Sequence, residues 1–334
     1  MSFFAVLFAL VLEQARPLPQ GNPVHQAMVG WSRWVGRNLD AGGQTHAWLV
    51  WIACVVLPAL GAWVVYLLAL QVNVLLGLAW NVAVLYVTVG FRQFSHHFTD
   101  IREALERGDE ETARQRLARW RHLDASELPR VELLRHVIEH SLLAAHRHVF
   151  GAFFWFIALS AMGLGPAGAV LYRAAEFARR YWTFKVRSVA DSAHERVASL
   201  AQRLFSAFDH VPARLTAFGF AVVGNFEDAV SAWRRDAGLW QQQNEGVLLA
   251  AASGAIGVRL GGRGAPGVTI ARTAPWAADS RAGDLSGEAV RSDGSTAGAP
   301  PSSAHLDSLV GLVWRSVVLW MLLVALLTVA RLLG

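Results

Sequence analysis

Residues 48–70 read WLVWIACVVLPALGAWVVYLLAL, 23 positions without a charge. At 1.5 Å per residue, an apolar helix of that length covers the roughly 30 Å hydrocarbon layer of a bilayer. Val72–Phe91 is a second uncharged run, of 20 residues, with Gln71 and Asn73 marking a tight turn between two spanning helices. The whole chain agrees with this reading: of 334 residues, 54% are hydrophobic and 16% charged, and 14 are Trp. Soluble domains carry about 25% charged residues, so there is too little polar surface here to cover a water-soluble fold. An ordinary cytosolic enzyme is excluded, and so is a disordered or collagen-like chain. Cys54 is the only cysteine, which excludes a disulfide framework or a Cys-based zinc site within one chain.

Working outward, Met1–Leu12 is apolar but short and is closed by Glu13. It lacks the basic start and cleavage site of a secretory signal and reads as a retained short or re-entrant helix. Pro17, Pro19, Gly21 and Pro23 then break the chain. Residues 92–148 are rich in Arg, Asp, Glu and His, with Leu105, Ala113, Leu117 and Trp120 at helical spacing. Basic residues beside spans mark the cytoplasmic side, so segments 92–148 and 173–214 are expected there. Val149–Tyr172 is apolar but interrupted at Gly163-Leu164-Gly165-Pro166. A single crossing would put the Arg-rich segment after it outside, against the charge rule. A broken or re-entrant hairpin resolves the conflict. Leu215–Gly224 and Gly246–Leu260 are rich in small residues that suit close helix packing. The composition of 261–304 predicts a flexible Gly/Pro/Ser-rich linker. Leu309–Leu333, within 305–334, predicts a C-terminal span in which Arg315 can snorkel.

The expected architecture is therefore an all-α, polytopic membrane bundle with four to six embedded segments. Residues 1–260 form its membrane domain, and the main polar loops lie on the cytoplasmic side. The formal charge of +5 is almost wholly arginine, with Lys185 the only lysine. Arg-rich loops beside a lipid bilayer account for it, and no nucleic-acid partner is expected.

Three constellations can carry chemistry. His136-Val137-Ile138-Glu139-His140 fits an H-x-x-E-H zinc-peptidase pattern, in which two imidazoles on one helix face hold zinc and Glu139 polarises a water. It equally fits a His-rich polar helix. Trp233-Arg234-Arg235-Asp236-Ala237 offers a guanidinium fork for a phosphate and a carboxylate to orient it, or else a self-satisfied Arg–Asp pair at the interface. Gly254 to Gly262 is a glycine-rich run in which Arg259, Gly261 and Gly262 can receive an anion. It is neither a Walker loop nor a dinucleotide fingerprint.

Taken together, residues 233–262, WRRDAGLWQQQNEGVLLAAASGAIGVRLGG, resemble without a gap the C-terminal signature of the CobD/CbiB membrane synthases of cobalamin biosynthesis. Asn22-Pro23-Val24, Ala104-Leu105 with Gly108-Asp109 and Ala113-Arg114, Phe154-Trp155, Leu171-Tyr172-Arg173-Ala174 and Pro212-Ala213-Arg214 follow in family order. The resemblance implies a ligase of the adenosylcobinamide-phosphate synthase type, using ATP and Mg²⁺ to join an aminopropanol or its phosphate to adenosylcobyric acid. No tightly bound cofactor is expected. The resemblance implies Asp236 and Glu139 as catalytic residues. It implies Arg234, Arg235, Asn244, Gly246, Arg259, Gly261, Gly262, Tyr172 and Arg173 as binding residues for a corrinoid or other anionic small molecule. Of the family's acidic array only Glu139 is present, with Leu143, Ala144 and Arg147 at the other places, and Val247-Leu248-Leu249 stands for Trp-Pro-Glu. In these departures the chain is similar to AmpE, a membrane protein associated with β-lactamase regulation. A non-enzymatic signalling or sensing role is the alternative, and a zinc-dependent membrane peptidase a further one.

Overall fold

The computed structural model describes residues 2–15, 23–40, 42–89, 91–121, 125–189, 194–262 and 294–333. The helices are α1 (Ser2–Ala15), α2 (Pro23–Leu39), α3 (Gln44–Val72), α4 (Val74–Thr88), α5 (Phe91–Glu106), α6 (Glu110–Arg121) and α7 (Arg130–Ala145). After them come α8 (Gly151–Ala161), α9 (Ala167–Val189), α10 (Glu195–Val223), α11 (Phe226–Asp236), α12 (Gln243–Ile256) and α13 (Ser303–Leu333). Among the described residues, three helices are long and apolar enough to cross a membrane: Gln44–Val72, Arg130–Ala161 and Ser303–Ala330. The apolar helices α1 and α4 are shorter. The helical membrane bundle and its count of embedded segments agree with the sequence. Pro17, Pro19, Gly21, Asn22 and linker residues 263–293 lie outside the described residues.

Two spans differ from expectation. Asn73 sits in extended backbone, and its side chain accepts a hydrogen bond from the Leu75 amide at 2.9 Å, starting a new helix as an N-cap. That cap leaves α4 with 15 residues, about 22 Å long, so the second uncharged run forms a short helix packed on α1 and α3 rather than a full crossing. The other correction concerns residues 130–148, which read as a polar cytoplasmic segment. They are instead the first half of the span Arg130–Ala161, continuous through a π-turn at His146–Phe150. Every residue from Leu133 to Ala145 is buried, so the charges face the bundle and not the lipid. Glu13, expected to close the first helix, lies buried within it.

The expected hairpin is present. Gly163 and Gly165 adopt left-handed φ of 81° and 54° in the turn after α8, and α9 folds back along it. Contact is close enough that a Cβ on Gly168 would lie 2.0 Å from the Trp155 carbonyl oxygen, the small-residue packing that membrane helices use in place of a hydrophobic driving force. The echo at Gly108-Asp109 is the turn between α5 and α6. Gly108 takes φ 76°, and the Asp109 carboxylate accepts from the Thr112 amide at 3.0 Å. The Thr112 side chain foremost, and then this amide, hold the Asp109 pKa below its usual value.

Residues on either side of 263–293 are joined. The Gly262 amide donates to the Gly294 carbonyl at 2.7 Å, Thr296 N to Leu260 O at 2.8 Å, and Arg259 N to Ala299 O at 2.8 Å. The Ser253 hydroxyl reaches both the Val258 carbonyl and the Thr296 hydroxyl. The expected linker boundaries are thus corrected at both ends: Gly261, Gly262 and residues 294–302 belong to the folded body.

Candidate functional site

Buried polar side chains form a seam between α7 with its π-turn, α9, α10 and α12. A charged group inside a membrane bundle is costly unless paired, so this seam is the part of the molecule to read for function. At one end, the Gly261 amide donates to Glu139 Oε1 at 2.8 Å, and Arg135 Nη1 donates to the Gly261 carbonyl at 2.7 Å. Arg135 and Glu139 themselves approach to 3.6 Å. The carboxylate and guanidinium together hold the N–H and the C=O of one residue, a glycine with φ 78°.

About eight residues further along the same helix, roughly 12 Å at 1.5 Å each, the π-turn aims consecutive side chains at different helices. His146 reaches α10, with Nε2 2.8 Å from Asp209 Oδ1 and Nδ1 3.0 Å from the Thr216 hydroxyl. An ionised Asp209 assigns the proton to Nε2, leaving Nδ1 to accept from Thr216. Tyr172 donates to the same Asp209 oxygen at 2.8 Å, and the Asn244 amide lies 3.5 Å from the other. Arg147 turns to α12 and pairs with Glu245. On α9, Glu176 is fully buried between Arg180, with contacts at 2.7 and 2.8 Å, and Arg173 at 3.1 Å. Burial opposes the ionised form of Glu176. Arg180 foremost, then Arg173, His148 and Arg147, overcome it and bring the pKa down to about 2.

The seam gathers many of the residues expected from sequence. Glu139, Gly261 and Gly262 meet at one end; Tyr172, Arg173 and Asn244 lie at the other. Asn244 is held from three sides, donating to the Ser206 carbonyl at 2.9 Å and accepting from Arg214 at 3.2 Å. Burial lowers the Arg214 pKa. The remaining expectations are corrected. Arg234 and Arg235 are exposed at the end of α11, and Arg259 is exposed beyond the opposite end of α12. A signature continuous in sequence is therefore spread along a helix, and its arginines stand apart by roughly 15–20 Å. Asp236 has both oxygens taken by Arg235, each at 2.8 Å, which is the self-satisfied pair and not a free carboxylate. The same pair keeps the Arg235 pKa above its usual value.

Glycines of the signature serve packing. A Cβ on Gly246 would sit 2.1 Å from the Ala237 carbonyl oxygen, and one on Gly254 2.3 Å from that of Asp228. These two positions let α11 lie directly on α12. The H-x-x-E-H pattern is likewise put to structural use. The His140 ring packs edge-on against Trp120 at 4.4 Å, Glu139 holds Gly261, and His136 Nδ1 lies 4.0 Å from Glu139. Among the described residues no group of three His, Cys, Asp or Glu is placed to hold a metal ion.

Sequence reading missed Asp209, Glu176, Arg135 and His146. For Asp209 a signal existed. It lies in helical phase with Phe205, Pro212, Ala213, Thr216 and Phe220, all buried, so an acid stands on the apolar stripe of α10.

Comparison with known proteins bears on the same residues. The CobD/Cbib protein family model matches residues 3–290. A cobalamin biosynthesis protein CobD of Stutzerimonas stutzeri (strain A1501) is 30% identical over 283 residues, covering 84% of this chain and 82% of the relative. A protein of the same name from Chromobacterium violaceum is 35% identical over 181 residues, 54% and 55% of the two chains. One from Leptospira interrogans is 23% identical over 228 residues, 67% of this chain and 68% of the relative. No solved structure matches. With the family model spanning all but the last part of the chain, this membrane protein belongs to the CobD/CbiB family.

Proposed function

We propose that the protein acts in cobalamin biosynthesis, in the inner membrane with its main polar loops cytoplasmic, and that its reaction joins an aminopropanol or its phosphate to adenosylcobyric acid. The observation that carries this reading is the coincidence of family and seam. Of the residues that carry the resemblance, Glu139, Tyr172, Arg173, Asn244 and Gly261 fall on this seam, while Arg234, Arg235 and Arg259 stand exposed away from it. A corrinoid carboxylate or an aminoalkyl phosphate is an anion, and it binds at this layer only by taking the place of Glu245 at Arg147 or of Glu176 at Arg173.

Such a reaction consumes ATP with Mg²⁺, and the described residues do not fit a magnesium centre. Magnesium binds through carboxylates and phosphate oxygens. Here Glu176 is neutralised by two arginines, Glu245 by Arg147 and Asp236 by Arg235, while Glu139 holds a backbone amide. No step is derived through the nucleotide or the ion. The contribution of this chain is to bind and orient an anionic substrate away from water.

Those paired acids favour a second reading, a binding or sensing role without turnover, as in the AmpE resemblance. Expression in a bacterium lacking its own CobD/CbiB synthase, with assay of cobalamin made from cobyric acid, separates the two. Cobalamin production supports the ligase. Failure with the protein present in the membrane overturns the ligase and leaves corrinoid binding without chemistry.

A further inference from the structure

A second polar feature shares no residue with the seam. Between the start of α11, the last turn of α12 and the first turns of α13 is a cleft of about 660 Å³, walled by Asn225, Asp228, Asp307, Ser308, Gly311 and Arg315. Its charges are ordered along α13. Arg315 lies deeper in the helix than Asp307, and its Nε donates to the Gly311 carbonyl at 3.1 Å, so the guanidinium folds back towards the mouth of the cleft. Gly311 has no side chain in the way. The guanidinium therefore stands about one helical turn, some 5.4 Å, below Asp307. At the outer end, Asp307 keeps an ion pair with Arg102 at 3.1 Å through Oδ1, and Asp228 accepts from Asn225 at 2.6 Å through Oδ2. The C-terminus of α12 adds its partial negative charge there.

Below the cleft the same face of α13 becomes apolar and open. Val318, Leu322, Leu326 and Val329 continue the stripe of Asp307, Gly311 and Arg315 at helical spacing, and each is at least 50% exposed. A cation nearest an apolar stripe, with anions one turn farther out, mirrors a zwitterionic phospholipid. In such a lipid the phosphate lies next to the acyl chains, and the ammonium lies two carbons beyond it.

We propose that this cleft is a binding site for the headgroup of an ethanolamine phospholipid, with phosphate on Arg315, ammonium on Asp307 and Asp228, and an acyl chain along Val318 to Val329. A primary ammonium donates hydrogen bonds to the carboxylates, which a trimethylated one cannot do. The site is separate from the seam, so it stands or falls independently of the enzymatic reading.

The test is thermal unfolding of the purified full chain with phosphatidylethanolamine, phosphatidylcholine, phosphatidylglycerol or free phosphoethanolamine added. A ligand that binds the native state raises the unfolding temperature. The expected result is a rise with phosphatidylethanolamine that exceeds the other three by about 3 °C or more. Arg315→Gln, and Gly311→Leu which fills the cleft, each abolish that preference. Gly311→Leu carries the test alone if Arg315→Gln does not fold. Equal stabilisation by phosphatidylglycerol would reduce the site to an anion on Arg315 and overturn the proposal. Equal stabilisation by free phosphoethanolamine would reassign it to a soluble ligand, and a preference surviving Gly311→Leu would place the lipid elsewhere.

Discussion

Arg147, on the π-turn of the central span, forms an ion pair with Glu245 on the first turn of α12, joining two helices 98 residues apart in sequence. The side chains are only 12% and 13% exposed, so neither charge has water to fall back on. The arginine, at a place where the resemblance implies an acid, is therefore answered within this same chain. Removing one member of such a buried pair costs about 3 kcal/mol or more. Arg147→Glu and Glu245→Arg each lower the unfolding temperature markedly in detergent, and the double exchange recovers most of the loss. A double exchange no better than the worse single variant would show that the pair is not the relevant interaction.

Asp209 is the shared acceptor of His146, Tyr172 and the more distant Asn244. Asp209→Asn keeps the shape but removes the charge and one acceptor. The expected loss is about 2 kcal/mol, since hydrogen bonds to a charged group are the stronger ones. Tyr172→Phe, which deletes one donor, costs less, about 1 kcal/mol. Denaturation of both variants under one set of conditions gives the ranking, and a larger effect of Tyr172→Phe would contradict the hub.

Glu176 makes stability depend on acid. Its folded pKa, about 2, lies below the ordinary 4.5. Its contribution is thus fully present above pH 4.5 and is lost as pH falls through 4.5 towards 2. Glu176→Gln should be less stable than the parent at pH 7 and show a flatter decline across that window. Parallel acid limbs for the two proteins would remove Glu176 as the cause.

Gly254 and Gly246 are placed where a methyl group would collide with backbone, that of α11 at 2.3 Å and that of the turn directly after it at 2.1 Å. Backbone cannot move aside as a flexible side chain can, so Gly254→Ala and Gly246→Ala destabilise by about 1–3 kcal/mol despite alanine's better helix propensity. Gly238, which has no atom within 4 Å of the added Cβ, is the control. Gly238→Ala changes stability by less than about 0.5 kcal/mol.

Legibility in the sequence follows where the interactions lie. The span 48–70 and the hairpin break at Gly163–Pro166 are written locally, in uninterrupted apolar side chains and in glycines beside a proline. Asn73 was legible as a turn but not as the cap that shortens α4. Residues 130–148 misled because Arg135, Glu139 and His146 make the segment polar by composition. Arg135 also pairs within its helix with Glu132 and Glu139, but the partners that tie these residues to the rest of the bundle are Gly261, Asp209 and Thr216, at least 63 residues away. Pairing across the bundle turns a polar helix into an interior one, and no window of sequence contains both halves of that pairing. The signature at 233–262 identified the family correctly, yet it placed Arg235 and Arg259 at one imagined ligand. A helix between them holds them apart.

The bond from Gly262 to Gly294 gives the chain two entrances to residues 263–293 at a single point on the bundle. Together with the bonds of Thr296 and Arg259, it fixes the point at which the chain leading to α13 joins the bundle. The molecule is in effect two interlocking parts, residues 1–262 and 294–334, keyed together by Thr296, Ser253 and the Leu260 backbone.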